Sequence, residues 1–195
     1  MQFLPENTRL ILASRSPRRQ QLLREMGYDF EIRSVEVNED HNESLKASAI
    51  AEYLAERKAL AQDHLLGPDE IVLTSDTVVW CEHESLAKAE NEEQAYVMLR
   101  KISGRSHEVI TGVCLLSKWH RSVFSCTTLV RFRDLSDEEI WYYIKHYRPF
   151  DKAGAYGIQE WIGMWAIQEI RGSYFNVVGL PTHLLPEKLR EFQRS

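Results

Sequence analysis

The chain has 195 residues, which is enough for one sizeable hydrophobic core but short for two. Hydrophobic residues make up 44% and charged residues 27% of the chain, a balance that excludes intrinsic disorder and is typical of a globular protein. The formal net charge of −5 argues against a nucleic-acid-binding surface. We therefore expect a single domain over residues 1–195 that has no nucleic-acid partner.

Neither the N-terminus nor the cysteines indicate export. The first residues lack the basic and apolar regions of a secretory signal, and no stretch approaches the roughly 20 apolar residues that span a bilayer. Cys81, Cys114 and Cys126 show no CxxC spacing and their number is odd, which favours reduced thiols. These features predict a cytoplasmic protein with no membrane partner.

The N-terminal segment predicts a buried strand, a tight turn and a helix. The apolar run 10–13 is followed by Ser16 as the expected N-cap and by Pro17 at the first helical position. Arg18 and Arg19 come next, although cations in the first turn of a helix oppose its dipole. Free backbone N–H groups together with two guanidinium groups favour an anion site, most plausibly for phosphate. Two solvated surface arginines remain the alternative.

The following segments predict a short strand over 30–35, an acidic loop over 36–43 and a long helix over 44–62. The loop is either a solvated acidic surface or the source of one carboxylate that holds a divalent metal. Its four acidic residues, which spacing does not separate, are Glu36, Glu39, Asp40 and Glu43. On the helix, Lys58 interrupts the apolar stripe, and the pattern favours a side chain that reaches the rim over one that projects into a cleft.

The strongest strand pattern covers 71–80 and contains Asp76. Because a buried, unpaired carboxylate costs several kcal/mol, Asp76 requires a metal, a lysine or a bound ligand. A structural salt bridge is the competing explanation. Asp76 is therefore the best candidate for a general base or a metal ligand.

The rest of the chain alternates predicted strands and helices, which indicates an α/β fold. A hairpin turn is expected at 81–84, and a helix capped by Asn91 is expected over 91–102. Further strands are predicted over 107–116, 122–132, 165–170 and 174–178. Helices are predicted to begin at the Ser136 capping box and after Pro181. Between them, the loop over 150–159 is rich in small residues and typical of a ligand-binding loop.

Residue chemistry alone predicts a phosphate-binding enzyme but no substrate. The chain contains no Walker A motif, no GxGxxG after a strand and no zinc spacing among its histidines. Five ordered segments nevertheless resemble the Maf family of nucleotide pyrophosphatases, and together they extend from about Leu10 to Leu185. These segments are 12–19, 75–79, 103–113, 151–159 and 172–181.

The resemblance implies a mixed, strongly twisted central sheet flanked by helices, with two lobes and a deep cleft, similar to the inosine triphosphatase architecture. It implies hydrolysis of a nucleoside triphosphate between the α and β phosphates, supported by a divalent metal, Mg²⁺ or Mn²⁺. It also implies a homodimer and an association with septum formation and nucleotide house-cleaning. A non-hydrolysing nucleotide-binding regulator of cell division is the alternative from another class.

Individual roles follow from the matching positions. The resemblance implies Asp76 as proton acceptor, Glu39 as an acid associated with metal or water, and Gln159 near the base. The positions that match phosphate contacts are Ser14, Arg18, Arg19, Lys58 and Lys88, of which the two lysines are also expected to assist catalysis. Asp76 and Glu39 are the metal-ligand candidates, and the sequence does not decide which of them binds metal and which activates water.

Three positions indicate the substrate branch. Arg18, Thr77 and Gln159 together resemble the branch that acts on dTTP and UTP, whereas the branch that acts on 7-methyl-GTP differs around them. Three positions depart from the family pattern, and the first is the hairpin turn at 81–84, which lacks the usual Asn-Gly or Asp-Gly. Alanines flank Lys88 where glycine and proline are common, and Glu160 follows Gln159 where glycine is typical. The geometry of Lys88 and the shape of the base pocket are therefore left open by the sequence.

Overall fold

A computed structural model of the chain describes residues 4, 7–42 and 44–193. Within them the strands are β1 (Arg9–Leu12), β2 (Glu31–Ile32), β3 (Glu70–Cys81), β4 (Glu84–Leu86), β5 (Ser106–Leu116), β6 (Arg121–Phe132) and β7 (Ile167–Arg171). The helices are α1 (Pro17–Glu25), α2 (Ser48–Leu60), α3 (Glu92–Ile102), α4 (Asp137–Tyr147), α5 (Trp161–Ala166), α6 (Tyr174–Val178) and α7 (Leu185–Phe192). In this described part of the chain no helix is long and apolar enough to cross a membrane.

The strands form one mixed sheet in the order β2-β1-β3-β5-β6-β7, with β4 paired to the far end of β3. β1 runs parallel to β2 and β3, whereas the other pairings are antiparallel. The long pairing of β3 with β5 sets Asp76 opposite Gly112 and Thr77 opposite Thr111. The predicted α/β class, with a mixed sheet flanked by helices, is confirmed.

Helix α2 crosses the central strands and thereby delivers its side chains to the middle of β3. Ile50 and Leu54 pack with Val78 and Ile110 in one buried cluster. At the same crossing, the hydroxyl of Thr74 donates a 2.6 Å hydrogen bond to the Ala55 carbonyl. Because α2 lies on β3 in this way, its next turn carries a lysine toward the centre of that strand.

The beginning of the sheet is held by one buried carboxylate. Glu70 is 3% exposed and forms 2.7 Å ion pairs with both Arg9 and Arg33. The hydrogen bond from Arg33, with smaller contributions from Gly67 and Arg9, holds the pKa of Glu70 below its ordinary value. This cluster joins β1, β3 and the segment after β2, which fixes the edge on which the N-terminal turn is built.

Most predicted elements are confirmed, and the differences fall in short segments. The Asn91 cap and the Ser136 capping box are both present. The strand predicted over 30–35 is limited to β2, the helix predicted over 44–62 is limited to α2, and the segment 165–166 ends a helix before β7 begins. The strand predicted over 174–178 is wrong, because that segment is α6.

Side-chain hydrogen bonds explain why α6 is helical. The hydroxyl of Ser173 accepts a hydrogen bond from the backbone N–H of Asn176, which is an N-cap interaction. The fully buried Asn176 amide then donates 3.0 Å bonds to the Val109 carbonyl and the Thr128 hydroxyl. Tertiary contacts therefore outweigh the strand propensity of this aromatic and β-branched segment.

His107 at the start of β5 anchors the loop over 150–159. It is 1% exposed, its Nε2 lies 2.8 Å from the Tyr156 hydroxyl, and its ring packs edge-on against Phe132. Burial lowers the pKa of His107 to about 4. The imidazole is therefore neutral in the folded protein at ordinary pH, and protonating it would place an uncompensated charge in the core.

We expect the protein to lose stability between about pH 6.5 and about pH 4 because of His107. The unfolded chain binds a proton near pH 6.5 and the folded chain only near pH 4. The contribution is therefore fully present above the first value and lost at the second. A loss on the order of 3 kcal/mol in unfolding free energy follows from such a difference in pKa. Urea denaturation at stepped pH measures it, with His107→Gln as the non-titrating comparison. An equal pH dependence in both proteins would contradict the assignment.

Candidate active site

A pocket of about 850 Å³ opens where β1 ends, α1 begins and β3 passes beneath α2. It is also lined by the segment after β4 and by the loop over 150–159. All the side chains to which the family resemblance gives a role line it, namely Ser14, Arg18, Arg19, Glu39, Lys58, Asp76, Thr77, Lys88 and Gln159. Segments far apart in sequence thus meet in one cavity, as the resemblance implies.

At the centre of the pocket Lys58 joins two carboxylates. Its Nζ lies 2.8 Å from Oε1 of Glu39 and also contacts Oδ1 of Asp76. The Lys58 and Asp76 side chains are only 19% and 13% exposed. The favoured placement of Lys58 at the rim is therefore wrong. Because α2 crosses β3 next to Asp76, the lysine projects into the cleft and provides the partner that this carboxylate requires.

Glu39 extends the charged row toward the outside. Its Oε2 lies 3.2 Å from Nζ of Lys88, so the order across the pocket is Lys88, Glu39, Lys58 and Asp76. Partial burial raises the pKa of Glu39, but the hydrogen bonds and positive charges of the two lysines outweigh burial, and its net pKa is lowered. The carboxylate is therefore ionised near neutral pH.

The other acids of the 36–43 loop do not share this position. Glu36 is exposed and pairs with Arg15 at 3.1 Å, and Asp40 is exposed beside Asn38. Glu43 lies outside the described residues. Of the described acidic residues in this loop, Glu39 is the one that reaches Asp76 through a shared lysine.

The two adjacent arginines serve different parts of the pocket. Arg19 donates to the Gly179 carbonyl at 2.9 Å and to the Thr77 hydroxyl at 3.1 Å, which ties α1 to the turn after α6. Arg18 points instead toward Asp151, with its Nη1 3.1 Å from Oδ2. Neither is an isolated surface arginine, so the alternative of two solvated cations is not what the structure shows.

Two serines shape the turn before α1. Ser16 occupies the predicted N-cap position, but its side chain makes no capping hydrogen bond. The buried Ser14 hydroxyl accepts a 3.2 Å bond from the Ser16 backbone N–H instead. The side chain that closes the turn is therefore that of Ser14, two residues before the predicted cap. Ser14 also lines the pocket.

The sequence pattern predicts a ligand-binding loop over 150–159 but indicates no role for Lys152. This lysine lines the pocket and is 10% exposed, with its Nζ 2.6 Å from Asp151 and 2.9 Å from Glu160. Gln159, in the same loop, is exposed and also lines the pocket. A lysine among small residues was the only available signal, because its carboxylate partners are not recognisable by spacing.

The donor set fits a divalent cation that shares its ligands with substrate. The described residues contain no cluster of three or more His, Cys, Asp or Glu side chains that would enclose a metal by themselves. Asp76 and Glu39 provide two carboxylates that contact the same ammonium group. Mg²⁺ is commonly bound by one or two carboxylates while phosphate oxygens and waters complete its shell. The residues present suit that arrangement.

Comparison with a solved structure supports the fold. The chain is similar to the structure of the Staphylococcus aureus Ham1 protein with a TM-score of 0.57 at 16% sequence identity, covering 94% of this chain and 99% of that one. At this identity the likeness concerns the fold alone. The predicted architecture is confirmed by it.

Sequence relatives are closer and cover almost the whole chain. A protein named dTTP/UTP pyrophosphatase from Flavobacterium psychrophilum is 50% identical over 177 residues, 91% of each chain. A protein of the same name from Phocaeicola vulgatus is 47% identical over 187 residues, 95% of this chain and 97% of the relative. The family described as Maf-like protein matches residues 9–192. The chain belongs to the Maf family.

Proposed function

We propose that this protein is a nucleoside triphosphate pyrophosphatase that hydrolyses dTTP and UTP to the monophosphate and pyrophosphate. The observation that carries the proposal is that Asp76 lies beside Lys58 in one pocket, with two arginines and Lys88 in the same lining. The names of the relatives at 47–50% identity support the substrate class. Removal of non-standard nucleotides is the associated role that we propose.

The cations of the pocket would bind the triphosphate. Arg18, Lys58 and Lys88 line one cavity, and the beginning of α1 presents free backbone N–H groups beside it. Guanidinium and ammonium groups together with a helix N-terminus offset the loss of hydration of bound phosphates. In the described structure these cations are neutralised by Glu39, Asp76 and Asp151, so binding would exchange carboxylate partners for phosphate oxygens.

Asp76 is proposed to accept a proton from the attacking water. Its side chain is 13% exposed, it lies on the central strand and lines the pocket, and the Lys58 ammonium contacts its Oδ1. A carboxylate in this position can hold a water by hydrogen bonding and take its proton as the bond to phosphorus forms. Lys58 would orient the carboxylate and then be available to the departing phosphate.

We also propose that the reaction uses Mg²⁺ or Mn²⁺, held by Asp76 and Glu39 together with phosphate oxygens. When bound, such a cation supplies neutralisation of the charge that develops on the leaving pyrophosphate. The two carboxylates that share Lys58 support this assignment. We propose a homodimer on the family resemblance, and a cytoplasmic location on the odd number of free cysteines.

The base would be selected by Gln159, Thr77 and Arg18. An amide in a pocket rejects a base that leaves its hydrogen-bonding groups unpaired, which produces large discrimination. Gln159 is exposed into the cavity, and Thr77 lies between Arg19 and Thr111 on the pocket wall. The location of these side chains in the pocket supports the proposed preference for dTTP and UTP.

The test is a nucleotide panel with product identification. Purified protein is incubated with dTTP, UTP, dCTP, dATP and 7-methyl-GTP in Mg²⁺ or Mn²⁺, and monophosphate and pyrophosphate are quantified. We expect kcat/KM for dTTP and UTP to exceed that for the others by about tenfold or more. Nucleoside diphosphate and inorganic phosphate as products would contradict cleavage between the α and β phosphates. Preference for 7-methyl-GTP would overturn the branch, and binding without turnover in either metal would favour the regulator instead.

A further inference from the structure

A continuous row of polar contacts runs from the interior of α4, through the loop that carries Gln159, to Arg18. The hydroxyl of Tyr143, a fully buried residue of α4, donates to Oε2 of Glu160. Oε1 of Glu160 lies 2.9 Å from Nζ of Lys152, and that ammonium lies 2.6 Å from Asp151. The other carboxylate oxygen of Asp151 accepts from Arg18 at 3.1 Å.

The same row also fixes the backbone of the loop. The N–H of Gly157 donates a 3.0 Å bond to the Tyr143 hydroxyl, and the N–H of Glu160 donates to the Gly157 carbonyl at 3.0 Å. A Cβ at Gly157 would lie 2.9 Å from both Glu160 Cδ and Lys152 Cε, so the backbone is wrapped closely around this ion pair. Gln159 lies between Gly157 and Glu160 along the chain, so both of its flanking segments are held in place.

The backbone of α5 also packs closely against the loop. A Cβ at Gly163 in α5 would lie 1.9 Å from the Ile158 carbonyl oxygen. Glu160 is the N-cap residue of α5, and its carbonyl accepts from the Gly163 N–H at 3.0 Å. The side chain that enters the network therefore belongs to the residue where loop and helix meet, directly after Gln159.

We propose that Glu160 and Tyr143 are positioning residues for base selection, which hold Gln159 and Arg18 at a defined separation through Lys152 and Asp151. The proposal rests on the proposed function, because it assigns the discrimination to that same pocket. Arg18, Asp151 and Lys152 line the cavity, whereas Tyr143 and Glu160 do not, so the effect of Tyr143 and Glu160 is indirect.

Burial and charge show why the network is rigid. The side chains of Lys152 and Glu160 are 10% and 25% exposed, which protects their ion pair from solvent better than most surface pairs. Partial burial raises the pKa of Asp151, but its hydrogen bonds and attraction to Lys152 and Arg18 outweigh burial and lower it. Because each group already has its partner, removing one member leaves the next with an unmet hydrogen bond or charge.

The experiment compares Tyr143→Phe and Glu160→Gln with the matched control Tyr147→Phe. Tyr147 stacks on Tyr143 at 5.1 Å one turn further along α4, so the control makes the same substitution on the same helix outside the network. We expect the ratio of kcat/KM for dTTP over dCTP to fall about fivefold or more in both network variants, mainly through KM for dTTP. The control is expected to keep the ratio and the melting temperature of the wild type.

Hydrogen–deuterium exchange separates positioning from activity. In the network variants the Gly157 N–H is expected to exchange about tenfold faster than in the wild type, whereas peptides from β3 remain protected. If the wild type is inactive but the variants still show faster exchange of the Gly157 N–H, the proposed function is overturned. The role of Tyr143 and Glu160 in holding the loop is then still supported. Faster exchange with unchanged selectivity in an active enzyme would overturn the positioning proposal. Equal losses of turnover on every nucleotide, in parallel with a lowered melting temperature, would also overturn it, because the role would then be structural only.

Discussion

Asp76→Asn is expected to reduce kcat for dTTP by about 100-fold or more while the protein remains folded. The amide has nearly the shape of the carboxylate but accepts a proton poorly, so the loss falls on the chemical step. Lys58 keeps its 2.8 Å ion pair with Glu39, which limits the structural cost of the change. Steady-state pyrophosphate release and thermal unfolding, recorded on the same preparation, measure the two effects.

The control for this variant is Asp63→Asn, which makes the same chemical change on an exposed residue of a short 3₁₀ turn after α2. It is expected to retain wild-type turnover. Near-normal turnover of Asp76→Asn would remove Asp76 from the proposed mechanism. A large fall in its melting temperature would instead assign the residue to the salt-bridge role that competes with catalysis.

Gly112→Ala is expected to destabilise the protein by at least about 3 kcal/mol, because no space exists for the added methyl group. A Cβ at this position of β5 would lie 2.3 Å from both the carbonyl carbon and the oxygen of Ala51 in α2. Backbone atoms of a packed helix cannot move aside as a side-chain tip can. Relief would require α2 to shift away from β5, and Lys58 would shift with it.

Urea denaturation of soluble protein measures this loss, and for a chain of this size it corresponds to a fall in melting temperature of roughly 10 °C. Gly67→Ala is the matched comparison, because a Cβ there would meet its nearest neighbour, Glu70 Cδ, at 3.4 Å, an ordinary van der Waals contact. A Gly112→Ala protein as stable as Gly67→Ala would contradict the close crossing of α2 over β5.

Long periodic segments could be predicted from the sequence because the spacing of their apolar residues indicates which face is buried. The run around Asp76 is apolar enough to indicate a central strand, and it is β3. The Asn91 and Ser136 caps identify helix starts because their side chains bond within the same turn. Short segments contain too few residues for such a pattern. Residues 174–178 are helical because the Asn176 side chain forms hydrogen bonds with neighbouring strands.

By itself, the sequence determined the family, the α/β class and nine of the residues that line the pocket, because those depend on ordered local motifs. Residue spacing did not determine where Lys58 points or which acid of the 36–43 loop reaches the centre, and only the family resemblance singled out Glu39. Neither spacing nor resemblance indicated that Glu160 is tied to Tyr143. Those depend on what stands opposite each side chain once α2 crosses β3 and the loop over 150–159 folds against α4. Only the tertiary structure supplies that partner, because burial and charge pairing are properties of two segments brought together and not of either alone.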